Sequence, residues 1–173
     1  LTPMEGRSIK VRRDLTLMPM SIYVWKGAEG ASEDRFGKVK ILRRWELSGK
    51  VELLPGETLV VDFGQNASGV PEFTAVAERG TMLCARPAEM LNDSQGEKSR
   101  GNDGPAGSAY FANYRKARTI AQYTFSGCGE ETYMPTFSFF GGRYFSFTAT
   151  GKVSFSSIRY LPVMSIAKED ETG

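Results

Sequence analysis

The stretch Lys38-Val-Lys-Ile-Leu-Arg-Arg-Trp-Glu-Leu47 carries the pattern that decides the fold. Apolar side chains occupy every second position of this stretch, and the alternation breaks only at Leu42 and Arg43. The apolar positions are Val39, Ile41, Trp45 and Leu47. Because successive side chains of a β-strand point to opposite faces of a sheet, this pattern predicts a strand with one buried face.

Further segments of the chain carry similar strand patterns. They are residues 58–63, 73–77, 81–86, 119–125, 143–149 and 153–160. Turns rich in glycine or proline separate them, and Arg79-Gly80 predicts a hairpin between residues 73–77 and 81–86. Segments with helical periodicity do not alternate with the strands. The sequence therefore predicts an all-β fold, an antiparallel two-sheet β-sandwich of the jelly-roll or concanavalin-like kind.

The length of 173 residues and a hydrophobic content of 40% suit one domain with a substantial core. We expect a lead-in segment over residues 1–35 that could supply an edge strand. The β-sandwich follows over residues 36–163, and residues 164–173 form a polar linker toward an absent following domain. No stretch approaches the roughly 20 apolar residues of a membrane helix, so no membrane contact is predicted.

Composition argues against several classes of function. The formal charge of +2 is nearly balanced, so nucleic-acid binding is not predicted. The chain has no histidine, the commonest general base, and no Gly-x-Ser-x-Gly motif. The carboxylates show no strand spacing typical of a glycosidase pair, although Glu89 and Glu131 could meet by folding. The chain alone is predicted to be non-catalytic. Cys84 and Cys128 could form a disulfide, but two buried thiols in strands are favoured.

Residues 92–107 have the polar, glycine-rich composition of a long exposed loop. The segment Asn92-Asp-Ser-Gln-Gly-Glu97 contains residue types that bind calcium, but it lacks the spacing of an EF-hand. An ordinary polar loop is the favoured interpretation. No cofactor is therefore predicted, and calcium is kept as the alternative.

Three stretches occur together in one order. The first is Pro55-Gly-Glu-Thr-Leu-Val-Val-Asp-Phe-Gly-Gln-Asn-Ala-Ser-Gly69. The second is Gly80-Thr-Met-Leu-Cys-Ala-Arg-Pro-Ala-Glu-Met-Leu91, followed after the polar loop by Tyr114-Arg115. The third is Glu131-Thr-Tyr-Met-Pro-Thr-Phe-Ser-Phe-Phe-Gly-Gly-Arg-Tyr-Phe145. Over about residues 50–160 the chain resembles the concanavalin-like β-sandwich module of bacterial α-L-rhamnosidases, which are glycoside hydrolases. One departure is Gly142, which occupies a position where this family often has an aromatic residue.

In that family the module precedes an α/α barrel that carries the catalytic acids. The resemblance therefore implies a non-catalytic accessory domain that packs against a catalytic α/α barrel of the same polypeptide and contacts carbohydrate. It also implies an extracytoplasmic location. The alternatives are a free-standing carbohydrate-binding module or lectin, and a protein-interaction sandwich without sugar affinity.

Five residues are candidates for carbohydrate binding or for the domain interface: Gln65, Asn66, Glu89, Tyr114 and Arg115. The two amides suit sugar hydroxyls but also suit a structural turn. Glu89 and Arg115 could face a shared pocket, and a salt bridge between them is the alternative. Tyr114, like Trp25 and Tyr110, could offer an exposed ring to a sugar.

The aromatic cluster between Pro135 and Phe145 is predicted to belong to the core or to a domain interface. Arg143 lies within this cluster, and we expect it to pair with Glu131 as a structural tie.

Overall fold

One strand, Thr58–Ala77, is 20 residues long and takes part in both layers of the protein. The computed structural model describes residues 9–45 and 50–166. The strands of these residues are β1 (Lys10–Val11), β2 (Ser21–Glu29), β3 (Lys38–Trp45), β4 (Val51–Leu53), β5 (Thr58–Ala77), β6 (Met82–Ala88), β7 (Ala121–Thr124), β8 (Glu130–Tyr133), β9 (Phe140–Ala149) and β10 (Val153–Met164). The helical turns, all of the 3-10 type, are Arg13–Leu15, Ser94–Gly96, Lys98–Arg100 and Ala112–Tyr114.

The two halves of β5 pair with different strands. Its first half lies between β2 and β9, and this layer continues to β3 on one side and to β6 and β7 on the other. Its second half pairs with β10 and β8, and β10 also pairs with β1 and β4. All of these pairings are antiparallel. The register between β5 and β9 shifts between Asp62 and Ala67, where the strand passes from one layer to the other.

Aromatic rings from the two layers meet in the core. The Phe147 ring of β9 lies 5.7 Å from the Phe155 ring of β10, and the Phe145 and Tyr160 rings are 5.1 Å apart. All four side chains are essentially inaccessible to solvent. Each such burial contributes about 1.5–3 kcal/mol, so this ring cluster holds the layers together. The predicted all-β, antiparallel fold is confirmed. The two layers of the predicted sandwich are joined through β5 into one curled 10-stranded sheet.

The strand predicted from the alternating stretch is β3. Among its odd-numbered residues Val39 is buried and the other three are half-buried, whereas its even-numbered residues are all exposed. Leu47 lies outside the described residues.

The predicted hairpin at Arg79-Gly80 is wrong. No pairing joins β5 to β6 among the described strands, because β9 lies between them in the sheet. The end of β5 pairs with β10 in one layer, whereas β6 pairs with β9 and β7 in the other layer. The turn therefore connects the two layers.

The amino-terminal segment supplies two strands. β1 pairs only with β10 among the described strands, whereas β2 lies inside its layer between β3 and β5. The domain boundaries stay a prediction, and most of the predicted linker, residues 167–173, lies outside the described residues. In the described part of the chain, no helix is long and apolar enough to cross a membrane.

Both cysteines are free thiols. Cys84 lies in a strand, β6, as favoured, but it is half-buried and not buried. Cys128 is exposed in the connection between β7 and β8, so the prediction of a buried strand thiol is wrong for this residue.

The long polar loop after Leu91 is folded against the sheet. Asn92 is buried, and its amide nitrogen donates to Asp103 Oδ1 at 2.9 Å and to Ser108 Oγ at 3.0 Å. The Tyr23 hydroxyl of β2 donates to the Gly107 carbonyl oxygen at 2.5 Å. These bonds place the loop over the outer face of the β2–β5–β9–β6 layer.

Candidate functional site

Gln65 and Asn66 lie where the register of β5 shifts. Both residues are exposed. Gly64 precedes them with a φ of +82°, and a Cβ at this position would lie 2.1 Å from Met20 Sδ. The positive φ favours glycine at this position, whereas the exposed Met20 side chain could move to admit a Cβ. The two amides are presented at the surface by a locally fixed backbone.

Asp62 anchors this segment of β5. Its carboxylate accepts two hydrogen bonds from Arg143, each 2.8 Å long, and one from the Gly64 N–H at 2.7 Å. Burial disfavours the ionised carboxylate, but these hydrogen bonds outweigh it, so the pKa of Asp62 lies below its ordinary value. The predicted pairing of Arg143 with Glu131 is wrong, because β5 and β9 place Arg143 beside Asp62.

Glu131 has a different structural role. Its carboxylate accepts hydrogen bonds from the Tyr123 hydroxyl at 2.8 Å and from the backbone N–H groups of Ser126 and Gly127, each at 3.0 Å. These bonds hold the turn between β7 and β8. The first of the causes that lower the pKa of Glu131 is the bond from Ser126.

Glu89 and Tyr114 lie near each other after the end of β6. Glu89 Oε2 accepts a hydrogen bond from Asn113 Nδ2 at 3.1 Å. Burial, and then the nearby Glu89 charge, raise the pKa of Tyr114. The Tyr114 hydroxyl donates to the Gly141 carbonyl oxygen at 3.1 Å. Gly141 pairs with Ser68 of β5, two residues after Asn66, so the structure brings four of the five candidate residues toward one end of the sheet.

Arg115 is exposed and has a strained backbone, with φ 55° and ψ −108°. A non-glycine residue in such a conformation costs roughly 1–3 kcal/mol and is most common at functional sites. In the described residues no ion pair joins Arg115 to Glu89, so the salt-bridge alternative is wrong.

Gly142 follows Gly141 in β9 and is buried against Ala88. A Cβ at position 142 would lie 3.0 Å from the Ala88 carbonyl oxygen and 3.2 Å from its nitrogen. The close approach of β6 and β9 at this point accounts for glycine here in place of a larger residue.

The aromatic cluster before Arg143 is divided between core and surface. Phe140 and Phe145 are buried, whereas Phe139 is 53% exposed and Phe137 is 100% exposed. Phe137 and Phe139 precede the strand that carries Gly141, the residue bound by Tyr114. We call these two rings the exposed phenylalanine pair.

Sequence reasoning missed a cavity of about 340 Å³ beneath the polar loop. Its lining combines Trp25 and Arg86 of the sheet with Asp103 and Phe111 of the loop. Trp25 was a candidate sugar-binding ring, but none of the five candidate residues lines this cavity. Tyr110, the other candidate ring, is half-buried beside it in sequence.

Two carboxylates of the calcium-like segment form ion pairs with arginines, one within the loop and one between β2 and β3. The Asp93 carboxylate pairs with Arg100 at 3.2 Å, and Glu97 pairs with Arg35 at 3.2 Å. In the two described ranges, no three His, Cys, Asp or Glu side chains form a group that could hold a metal ion.

Comparison with known proteins identifies the family. The model of the bacterial alpha-L-rhamnosidase concanavalin-like domain matches residues 52–158. The chain belongs to this family. The matched segment of this rhamnosidase domain includes Asp62, Glu89, Tyr114 and Arg143, whereas Trp25 precedes it.

Curated relatives of the rhamnosidase domain are much longer than this chain. An alpha-L-rhamnosidase of Streptomyces avermitilis is 37% identical over 123 residues, which is 70% of this chain and 11% of the relative. One of Formosa agariphila is 33% identical over 98 residues, which is 57% of this chain and 9% of the relative. The chain thus spans about a tenth of the length of these relatives.

Solved rhamnosidase structures share the fold. The Streptomyces avermitilis alpha-L-rhamnosidase complexed with L-rhamnose superposes with a TM-score of 0.54 at 24% identity, covering 90% of this chain and 11% of that chain. A rhamnosidase from Klebsiella oxytoca with rhamnose bound gives a TM-score of 0.54 at 13% identity, covering 91% of this chain and 30% of that one.

Proposed function

We propose that this chain is the non-catalytic accessory β-sandwich domain of an α-L-rhamnosidase-like glycoside hydrolase, packed against the catalytic α/α barrel of the same polypeptide. The observation that carries the proposal is the family match over residues 52–158, together with the tenth of each curated relative that the chain spans. A segment of this size within a much longer enzyme suits a supporting domain.

The environment of the carboxylates supports a structural role for them. Asp62 is held by Arg143, and Glu57 is held by Arg43 and by the Leu54 N–H. Burial raises the pKa of Glu57, but the hydrogen bonds from Arg43 and Leu54 outweigh it, so the pKa is lowered. A general acid needs the opposite shift, toward protonation at neutral pH.

The exposed phenylalanine pair supports the docking part of the proposal. A fully solvated Phe137 ring forgoes about 1.5–3 kcal/mol of burial free energy, which a neighbouring domain could supply. Tyr114, which binds Gly141 of β9, and the adjacent strained Arg115 are candidates for further contacts.

Hydrogen exchange tests the docking. The 173-residue chain is compared with a longer polypeptide of the same gene that also contains a barrel. Amide exchange over residues 134–143 is expected to slow by about ten-fold or more in the longer protein. Equal exchange rates over that segment would contradict docking through the phenylalanine pair.

A matched pair of variants separates docking from folding. Phe137→Ser in the longer protein is expected to weaken the domain contact and raise exchange over residues 134–143. Leu42→Ser, at an apolar residue of β3 that is 41% exposed, is the control and is expected to leave that segment unchanged. Equal effects of the two substitutions on exchange over residues 134–143 would show that Phe137 does not lie at the interface.

Direct carbohydrate contact is a second proposal, supported by the exposure of Gln65 and Asn66. Calorimetry with L-rhamnose, with and without calcium, tests it on the isolated chain. Binding that weakens in Asn66→Ala supports contact by these amides, and binding that needs calcium supports a calcium role. An absence of heat under both conditions would contradict sugar contact by this domain.

A further inference from the structure

The cavity beneath the polar loop has a floor of regular sheet. Trp25 of β2 pairs in register with Thr58 of β5, and Arg86 of β6 pairs with Ser146 of β9. Side chains of these four residues line the cavity from adjacent strands. A floor supplied by strands holds its side chains in fixed relative positions, which is what a binding site requires.

The roof of the cavity is the loop fixed by Asn92. Asp103 and Phe111 line the cavity, and Asp103 is held by hydrogen bonds from Asn92 Nδ2 at 2.9 Å and from the Phe111 N–H at 2.7 Å. A volume of about 340 Å³ lies within the range of small-molecule sites and admits a sugar ring. The cavity is thus built by the fold.

Two residues that line this cavity each have a buried donor atom without a hydrogen-bond partner in the described part of the chain. The two atoms are Trp25 Nε1 and Arg86 Nε. A buried donor without a partner costs about 1–3 kcal/mol, and a ligand that brings acceptor oxygens to this cavity would offset that cost.

Arg86 also carries a charge that the protein leaves unbalanced. Its guanidinium lies 3.7 Å from the centre of the Phe111 ring, and it forms no ion pair with any carboxylate of the described residues. A half-buried guanidinium with planar donors is the side chain best suited to bind a carboxylate. Asp103, across the cavity, supplies an acceptor for hydroxyl groups.

We propose that this cavity binds a sugar acid, a hexuronate ring, with its carboxylate on Arg86, its hydroxyls toward Asp103 and an oxygen on the Trp25 indole N–H. The carboxylate of such a ring matches the cationic Arg86, its hydroxyls match the Asp103 carboxylate, and the ring itself matches the aromatic wall. None of the residues that carry the proposed barrel contact lines this cavity, so the two proposals can fail separately.

Nuclear magnetic resonance of the 173-residue chain tests the site directly. The protein contains two tryptophans, Trp25 and Trp45, so a ¹⁵N-labelled sample gives two indole signals. Trp45→Phe assigns the Trp25 signal and serves as the control, since Trp45 lies outside the cavity beside Arg43. Sodium D-glucuronate is titrated, with D-glucose as the ring without a carboxylate and sodium acetate as the carboxylate without a ring.

The Trp25 indole signal is expected to shift saturably with glucuronate, with a dissociation constant on the order of 1 mM. Arg86→Gln is expected to weaken binding about ten-fold, and Arg86→Lys less, because lysine keeps the charge and loses the planar fork. Glucose and acetate are each expected to bind at least about ten-fold more weakly than glucuronate.

Three outcomes would overturn the proposal. One is a Trp25 signal that does not respond to glucuronate in the wild-type chain. Another is glucose or acetate binding as tightly as glucuronate, which would make this a neutral-sugar or simple-anion site. The third is unchanged glucuronate affinity in Arg86→Gln. If that variant loses the dispersed spectrum of a folded chain, unchanged affinity in Arg86→Lys overturns the proposal instead.

Discussion

Gly69 lies where β5 passes between the layers, and its replacement by alanine tests the two-layer account. Gly69 pairs with Phe140 of β9 and with Pro162 of β10. A Cβ at this position would lie 2.5 Å from the Leu161 carbonyl oxygen and 2.9 Å from Tyr160 Cε2. Ordinary contact begins at 3.4 Å, so β5 and β10 would have to move apart by about 0.9 Å.

Overpacking of this kind costs about 1–3 kcal/mol. Gly141→Ala is the matched control, because a Cβ there meets nothing within 4 Å. Where the conformation is compatible, Gly→Ala stabilises by roughly 0.4–1 kcal/mol through the unfolded chain. In urea unfolding, the free energy of unfolding of Gly69→Ala should therefore be about 1.5–4 kcal/mol lower than that of Gly141→Ala. Two variants of equal stability would refute the close approach of β5 and β10.

Three further predictions follow from side chains away from Gly69. A thiol-specific disulfide reagent should modify exposed Cys128 rapidly and Cys84 slowly, because burial raises the pKa of the Cys84 thiol; two equally fast phases would contradict this. Asn92→Ala should cost about 2–3 kcal/mol and admit protease cleavage within residues 93–107, whereas an intact loop would be inconsistent with its anchoring role. The pKa of Asp62 is lower in the folded chain than its unfolded value of about 4, so the ionised carboxylate stabilises the fold above that value and this stabilisation is lost as the pH falls through the folded pKa. Arg143→Gln should therefore weaken the loss of unfolding free energy at acid pH. An identical acid dependence of stability in the two proteins would count against the Asp62–Arg143 pair.

The sequence predicted local structure better than it predicted pairing. Period-two exposure in β3 follows from the alternation of side chains that the strand carries in its own residues. In β9 the alternation is lost, because Phe145, Ser146 and Phe147 are buried in succession. The hairpin at Arg79-Gly80 is wrong because strand neighbours depend on the path of the whole chain. Nothing near this turn reveals that β9 inserts between β5 and β6.

Side-chain partners across long separations were also missed. Arg143 binds Asp62, 81 positions away, although Glu131 is far nearer in sequence. The cavity shows the same difficulty, since Trp25, Arg86 and Asp103 come from separate segments. The composition of residues 92–107 predicts an exposed loop, but composition does not reveal the packing that buries Asn92.

The candidate residues lie in or beside three motifs that occur in one order, and the family match over residues 52–158 confirms the resemblance that those motifs carry. Their function stays a proposal. The structure places Gln65 and Asn66 at a fixed turn and Tyr114 on Gly141, which suits either a domain contact or a sugar contact.

The most direct test of a supporting domain without its own chemistry is hydrolysis of an aryl α-L-rhamnoside. The purified 173-residue chain is assayed beside a longer polypeptide of the same gene that contains the barrel. Only the longer protein is expected to release the aryl group above the buffer rate. Release by the chain alone, abolished when the chain is unfolded, would contradict it.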